Sequence, residues 1–273
     1  MKSFEFISVY GNATTIVDKM RADGLLPINM NCEKCGLPMY DRVVEKTDGI
    51  IFYCGKRTCR IAKSIRCASF FHNARPSLCN CMLFLHLWSK GYSEKLIAED
   101  FPFSKQTIVD WSRFCRELCV DYIEASSEMI GGVGTIVEID ETLAVKRKYN
   151  RGRVMMTDGW LFGGIERRSD GQFKCFLRMV YNRCEDHLVH LIQQHVRLGT
   201  RVITDGWGAC RNLSSYGYQH EVVIHDQNFV SPQDFSIHTQ KIESTWSSLK
   251  RFIRQHGTYK GDHYLEYICE YVF

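Results

Sequence analysis

Proline is scarce in this chain of 273 residues, five in all, which excludes extensive Pro-rich linkers. No apolar run reaches the length of a transmembrane helix, so no membrane partner is expected. The opening MKSFEFISVYGNATT lacks the apolar core of a signal peptide. No internal repeat or low-complexity tract is present. Excess charge is small as well: the net +4 is too mild to establish nucleic-acid binding on its own. What the chain does have is an ordinary globular share of apolar residues, 45%, and thirteen cysteines. Without a secretion signal those cysteines point to a reducing compartment, where they serve as metal ligands, core residues or free thiols.

Residues 1–30 read as a helical lead-in, with Ile16 and Met20 at helical spacing and Gly24 ending it. Cys32-Glu-Lys-Cys35 follows, and then Cys54-Gly-Lys-Arg-Thr-Cys59, with 18 residues between the pairs (54 − 35 − 1). The segment from Met39 to Phe52 reads as strand, Asp48-Gly49 turn and strand. Two cysteine knuckles joined by a hairpin predict a zinc ribbon over 31–66, with Cys32, Cys35, Cys54 and Cys59 around a structural Zn²⁺. So small a unit has little core, and the metal would supply much of its folding energy. Cys67, Cys79 and Cys81 stand nearby as alternative ligands, although Cys79 and Cys81 open an apolar core helix, CNCMLFLHLW, with His86 packed inside.

Residues 79–125 continue as a helical region. Ser93 and Ser104 are expected N-caps. A short helix, a tight turn at Phe101-Pro102-Phe103 and a longer helix resemble a helix-turn-helix, equally readable as a generic helical pair. Lys105, Gln106, Thr107 and Asp110 would then be exposed at the start of the second helix. Gly131, Gly132 and Gly134 mark a flexible boundary.

From 135 onward the pattern is rich in strands: Thr135–Asp140, Trp160–Arg167, Phe173–Tyr181, Thr200–Thr204 and Glu221–His225. Helices are expected around Leu188–Val196 and, as the last clear one, Thr239–Gln255. Three meandering strands followed by alternating helices and strands is the order of an RNase H-like α/β fold, a mixed five-stranded sheet with helices over 135–273.

Alternation puts Val137 and Ile139 on one face of the first strand and Glu138 and Asp140 on the other. Asp140 is expected to end strand one, Asp205 to end strand four, and Glu243 to lie in the first turns of the late helix. The spacing is 64 residues (205 − 140 − 1) and then 37 (243 − 205 − 1). Strands one and four are neighbours in such a sheet, so the three acids would converge. Together they would hold two Mg²⁺ or Mn²⁺ ions, which sit roughly 3.5–4 Å apart in two-metal sites. Singly, each acid also reads as a turn, a cap or a solvated helix residue, and Glu138 and Glu141 are rivals to Asp140. Lys146, Arg147, Lys148, Arg151 and Arg153 form one basic cluster, and Lys250, Arg251 and Arg254 another, both suited to DNA phosphates. His238 is a candidate to orient a carboxylate or phosphate, and Trp160, Trp207 and Trp246 are expected in the core.

Val137-Glu-Ile-Asp140-Glu-Thr, Lys146-Arg-Lys-Tyr-Asn-Arg-Gly152, Trp160-Leu-Phe-Gly-Gly-Ile-Glu166, Val202-Ile-Thr-Asp205-Gly-Trp207, Asn228-Phe-Val230 and His238-Thr-Gln-Lys-Ile-Glu243-Ser-Thr-Trp-Ser-Ser-Leu-Lys-Arg251 resemble the transposase domain of the Merlin superfamily and its bacterial insertion-sequence relatives. The resemblance covers about half the chain, 135 to 270. It implies an RNase H-like fold with a DDE triad at Asp140, Asp205 and Glu243, leaving Glu138 in support. It also implies a cut-and-paste transposase that binds terminal inverted repeats and performs metal-dependent cleavage and strand transfer. Double-stranded DNA would be the partner, and a homodimer or higher oligomer would bring two ends together. Alternatives are a non-catalytic DNA-binding protein derived from such an element and an RNase H-like structure-specific nuclease. The expected location is the nucleus in a eukaryote and the cytoplasm otherwise.

Overall fold

The computed structural model describes residues 2–45, 47–125, 128–143, 160–170, 172–205, 211–223, 234–256 and 264–273. The chain divides into two compact units, residues 1–112 and 113–273.

The first unit opens with helices α1 (Ser3–Tyr10) and α2 (Ile16–Ala22). Next comes a three-stranded antiparallel sheet, β1 (Tyr40–Val43), β2 (Ile50–Tyr53) and β3 (Ala62–Ser64). The hairpin between β1 and β2 turns at Gly49, which has φ +72°. The third strand was not anticipated: Ala62-Lys-Ser64 is too short and too polar to announce itself by alternation. Three helices complete the unit's element list, α3 (Leu78–Ser89), α4 (Glu94–Asp100) and the first part of α5 (Lys105–Ala125). Each begins at a serine whose Oγ accepts a backbone N–H: Ser77 from Asn80, Ser93 from Leu96 and Ser104 from Thr107. Such a cap satisfies one orphan donor and stabilises a helix by about 1 kcal/mol. Phe71, Phe84 and Trp111 pack together beneath them. His86 is buried, stacks on Phe6 at 4.2 Å and bonds Ser3 Oγ, as a packed histidine does.

The second unit is built on a mixed five-stranded sheet ordered β6-β5-β4-β7-β8, consistent with an RNase H-like arrangement. The strands are β4 (Ile136–Leu143), β5 (Trp160–Glu166), β6 (Cys175–Val180), β7 (Arg201–Thr204) and β8 (Gln219–Val222). β4, β5 and β6 form an antiparallel meander, while β7 joins β4 and β8 in parallel. Helix α6 (Glu185–His195) shares one apolar cluster with Val137, Ile139 and Phe162. Helices α7 (Gln240–Gln255) and α8 (Tyr264–Val272) share another with Leu161, Ile165 and Leu177. The sheet is therefore covered on both faces, and alternation along β4 and β5 decides which residue serves which face. Burying each large apolar side chain stabilises by about 1.5–3 kcal/mol.

Three expectations need correction. β4 does not stop at Asp140: its pairing with β5 continues through Leu143↔Trp160. Only the pairing with β7 ends there, at Ile139↔Thr204. Helix α8 follows α7, so Thr239–Gln255 is not the last helix. The glycines at 131–134 are not a loose boundary. Ile130 is bridged to Val196 and buried in the sheet's core, and Gly131 donates its N–H to Glu166 at 2.9 Å. Gly131 has φ +79°, and a Cβ there would meet Thr200 Oγ1 at 2.5 Å, so this glycine allows close packing.

Candidate active site

The site is framed by the point where β7 leaves β4. Because Ile139 is level with Thr204, the next residues, Asp140 and Asp205, leave the parallel ladder side by side. Adjacent strands are about 4.8 Å apart, so the two carboxyl groups face one small volume. Asp140 pays attention to that crowding: burial, and then the charge of Asp205, push it up to about 7, with Glu243 adding in the same direction. The indole of Trp246 opposes the rise by donating Nε1–H to Asp140 Oδ2 at 3.0 Å.

Three contacts fix α7 along β4. The Ile242 N–H donates to Glu138 Oε2 at 2.9 Å, Trp246 donates to Asp140, and Lys250 Nζ donates to Thr142 Oγ1. On the helix these are steps of four residues, about 6 Å of rise. On the strand they are steps of two, about 6.6 Å. The two repeats nearly match, so helix and strand stay in step for three contacts. Glu243 lies one turn before Trp246 on this helix, and its Oε1 accepts from Thr239 Oγ1 at 2.8 Å.

Glu138 is fully buried, and both of its carboxylate oxygens are engaged within the protein. It accepts from the first turn of α7, and from Arg167 Nε at 2.6 Å. Arg167 also donates to the carbonyl of His238 at 2.7 Å and to that of Ser236, so one guanidinium ties the segment before α7 to β4. It donates to His238 Nδ1 at 3.0 Å as well, which sets the imidazole proton on Nε2. Burial, then the charge of Arg167, hold His238 below its usual value. Glu141 points to the opposite face, where Arg183 pairs with it and stacks over Trp160 at 3.6 Å.

Two contributors escaped sequence reasoning. Trp246 was assigned to the core alone, and it is 4% exposed, yet its indole also holds Asp140. Arg167 closed the expected strand Trp160–Arg167 without any pattern to mark its role. A signal did exist in Gly163-Gly164. Gly163 is level with Asp140, and a Cβ there would lie 2.9 Å from Trp246 Cη2 and 2.7 Å from Phe176 O. Glycine at that position leaves room for the indole.

The basic cluster Lys146, Arg147, Lys148, Arg151 and Arg153 lies outside the described residues. Of the second cluster, Arg251 and Arg254 are exposed, whereas Lys250 is half-buried against β4.

Among the described residues, Cys32, Cys35, Cys54 and Cys59 form the one group of three or more whose candidate ligand atoms all lie within 4.8 Å of one another. Cys35 and Cys54 have their sulfurs 3.7 Å apart. Four sulfurs at about 2.3 Å from a tetrahedral Zn²⁺ are about 3.8 Å from one another, so this cluster fits zinc. Cys67, Cys79 and Cys81 are not in it. The carboxylates of Asp140, Asp205 and Glu243 are not gathered as tightly. Like charges repel, and Trp246 and Thr239 already engage two of the three. Hard oxygen ligands of this kind suit Mg²⁺ or Mn²⁺.

A comparison with protein families matches residues 128–273 to the ISXO2-like transposase domain, more than half of the chain. A comparison with curated proteins returned no match.

Proposed function

The chain belongs to the ISXO2-like transposase family, of the bacterial insertion-sequence DDE type, and from that membership we propose that Asp140, Asp205 and Glu243 form its catalytic triad. The reading is supported chiefly by one observation: Asp140 and Asp205 leave neighbouring parallel strands at the same level, beside a helix held in step with β4.

In this reading Asp140, Asp205 and Glu243 hold two Mg²⁺ or Mn²⁺ ions, which would activate the attacking oxygen and stabilise the leaving 3′-oxygen. Trp246 keeps Asp140 aimed at the cleft, and the Glu138–Arg167 pair keeps the first turn of α7, and so Glu243, beside it. In the first step water attacks a phosphodiester at the transposon end. The phosphorus–O3′ bond breaks, giving a 3′-hydroxyl and a 5′-phosphate. In the second step that 3′-hydroxyl attacks a target phosphodiester and displaces the target's 3′-oxygen. The first step consumes one water and one phosphodiester, the second makes one phosphodiester for the one it breaks, and no protein-linked intermediate is needed. Lys250, Arg251, Arg254 and the basic residues between 146 and 153 contact DNA phosphates. A structural Zn²⁺ on the four cysteines stabilises the ribbon. The exposed start of α5, with Lys105 and Gln106, and the ribbon bind the terminal inverted repeats as duplex DNA. Bringing two ends together calls for at least a dimer.

The test is incubation of the purified chain with Mg²⁺ and duplex carrying the element's own end. Cleavage at the end followed by joining to a second duplex supports the reading. Cutting of branched DNA with no joining would replace it with a structure-specific nuclease, and DNA binding with no cleavage in Mg²⁺ or Mn²⁺ would leave only a DNA-binding protein.

A further inference from the structure

The net positive charge is not spread over the chain. Residues 31–66 hold eight Lys/Arg against four Asp/Glu, a net of +4 (8 − 4). The remaining residues balance at 27 of each sign (35 − 8 and 31 − 4). Within the ribbon, three of the four acids are already bonded to cations: Glu33 to Lys63, Asp41 to Arg21 and Asp48 to Arg66. Between Asp48 and Glu94 there are 45 residues without a carboxylate (94 − 48 − 1).

The uncompensated cations gather at the second knuckle. Lys56, Arg57 and Arg60 are all exposed. The knuckle closes on one carbonyl, that of Lys56, which accepts the N–H groups of Cys59 and Arg60 at 2.9 and 3.1 Å. Arg60 then adopts a left-handed backbone with φ +47°. After Cys35 in the first knuckle the corresponding turn is made by Gly36, with φ +72°. Glycine takes this conformation without penalty, while another residue costs about 1–2 kcal/mol. Arg60 carries that cost with its side chain exposed beside Lys56 and Arg57. The neighbouring sheet face continues the surface. Tyr40 approaches Gly55, and the Arg42 guanidinium lies over the Tyr53 ring at 4.7 Å.

We propose that the second knuckle, with Arg42 beside it, is a phosphate-gripping surface for duplex DNA, in which Lys56, Arg57 and Arg60 each meet a backbone phosphate. This deepens the proposed function and rests on its claim that the chain binds duplex DNA. The competing role for these cations is to offset the charge of four thiolates, and it makes a different prediction. Phosphate contacts act through counterion release, so each contributes about 0.9 to the slope of log affinity against log salt.

The experiment measures binding of the full zinc-loaded chain to duplex by fluorescence anisotropy between 50 and 200 mM salt, with bound zinc determined alongside. The duplexes are the element's end and an unrelated sequence. Arg60→Gly relieves the backbone, so it should keep its zinc and thermal stability while losing about 0.9 of slope on both duplexes. Lys56→Gln/Arg57→Gln/Arg60→Gly should lose about 2.7, making its affinity loss over that salt range about 40-fold smaller than that of the unaltered chain. Unchanged slopes in variants of a chain that binds DNA would overturn this inference and leave the proposed function standing. Loss of zinc with the slope unchanged would assign the cations to the thiolates and overturn it too. A reduced slope in a chain that never cleaves would uphold the surface and count against the catalytic reading. An unaltered chain that binds neither duplex would overturn both.

Discussion

Replacing Arg167 by methionine should loosen α7 without touching any of the three acids. Glu138 is fully buried, and its carboxylate accepts from Arg167 on one oxygen and from the Ile242 N–H on the other. Removing one member of a buried ion pair strands the other charge, at a cost of about 3–5 kcal/mol. The Arg167 side chain retains 18% exposure, which favours the lower end of that range. The bonds to the His238 and Ser236 carbonyls disappear as well, so about 3 kcal/mol is a fair expectation. In a unit of this size each kcal/mol moves the melting temperature by about 2–4 °C, so the variant should melt about 6–12 °C lower. Differential scanning calorimetry measures this directly. Changing both partners, Glu138→Gln/Arg167→Met, removes the stranded charge and should recover at least half of the loss. End cleavage by Arg167→Met should fall while DNA binding by the ribbon persists. A melt within about 1 °C of the unaltered chain, or a double variant as unstable as the two singles added, would refute the clamp.

Gly163→Ala should destabilise by about 1–3 kcal/mol, because its Cβ would meet a backbone oxygen that cannot move aside. Trp fluorescence should report the displaced Trp246, and an unchanged spectrum would contradict the packing. Cys35→Ser, or exposure to a strong chelator, should remove bound zinc and unfold the ribbon, seen as the loss of its amide protection in hydrogen exchange. Burial pushes His195, stacked on Phe176, down to about 4. Its folded value lies below the unfolded one of about 6.5, so the unfolded chain binds more protons between them. Stability should therefore fall as pH drops from about 6.5 towards 4, and His195→Gln should flatten that part of the profile.

The sequence carried the parts of the fold that follow from local pattern. The meander and the caps at Ser93 and Ser104 rest on short-range periodicity and turn residues, while the parallel pair that sets Asp140 beside Asp205 was expected only from the strand order of an RNase H-like sheet. The knuckle spacing pointed to the four cysteines that cluster. What stayed hidden depends on contacts distant in the chain. β3 was invisible because three residues give no alternation. α8 was missed beside the stronger stripe of α7. The indole of Trp246 reads as core until Asp140, 106 residues away, is seen to accept its hydrogen bond. The Gly131 segment looked like a flexible boundary because left-handed turns and tight packing ask for the same residue. The ribbon's charge was legible but obscured by a mild overall total, since its surplus is diluted by a chain that is otherwise balanced.

In the proposed function Asp140, Asp205 and Glu243 act together in metal-dependent cleavage. Its most direct test is single-turnover cutting of end-bearing duplex in Mg²⁺ by Asp205→Asn and Glu243→Gln proteins, with folding and DNA binding checked in parallel. Both variants should fold and bind DNA but lose cleavage by a factor of at least about a thousand, roughly 4 kcal/mol in the barrier. Cleavage by either variant at the rate of the unaltered chain would contradict it.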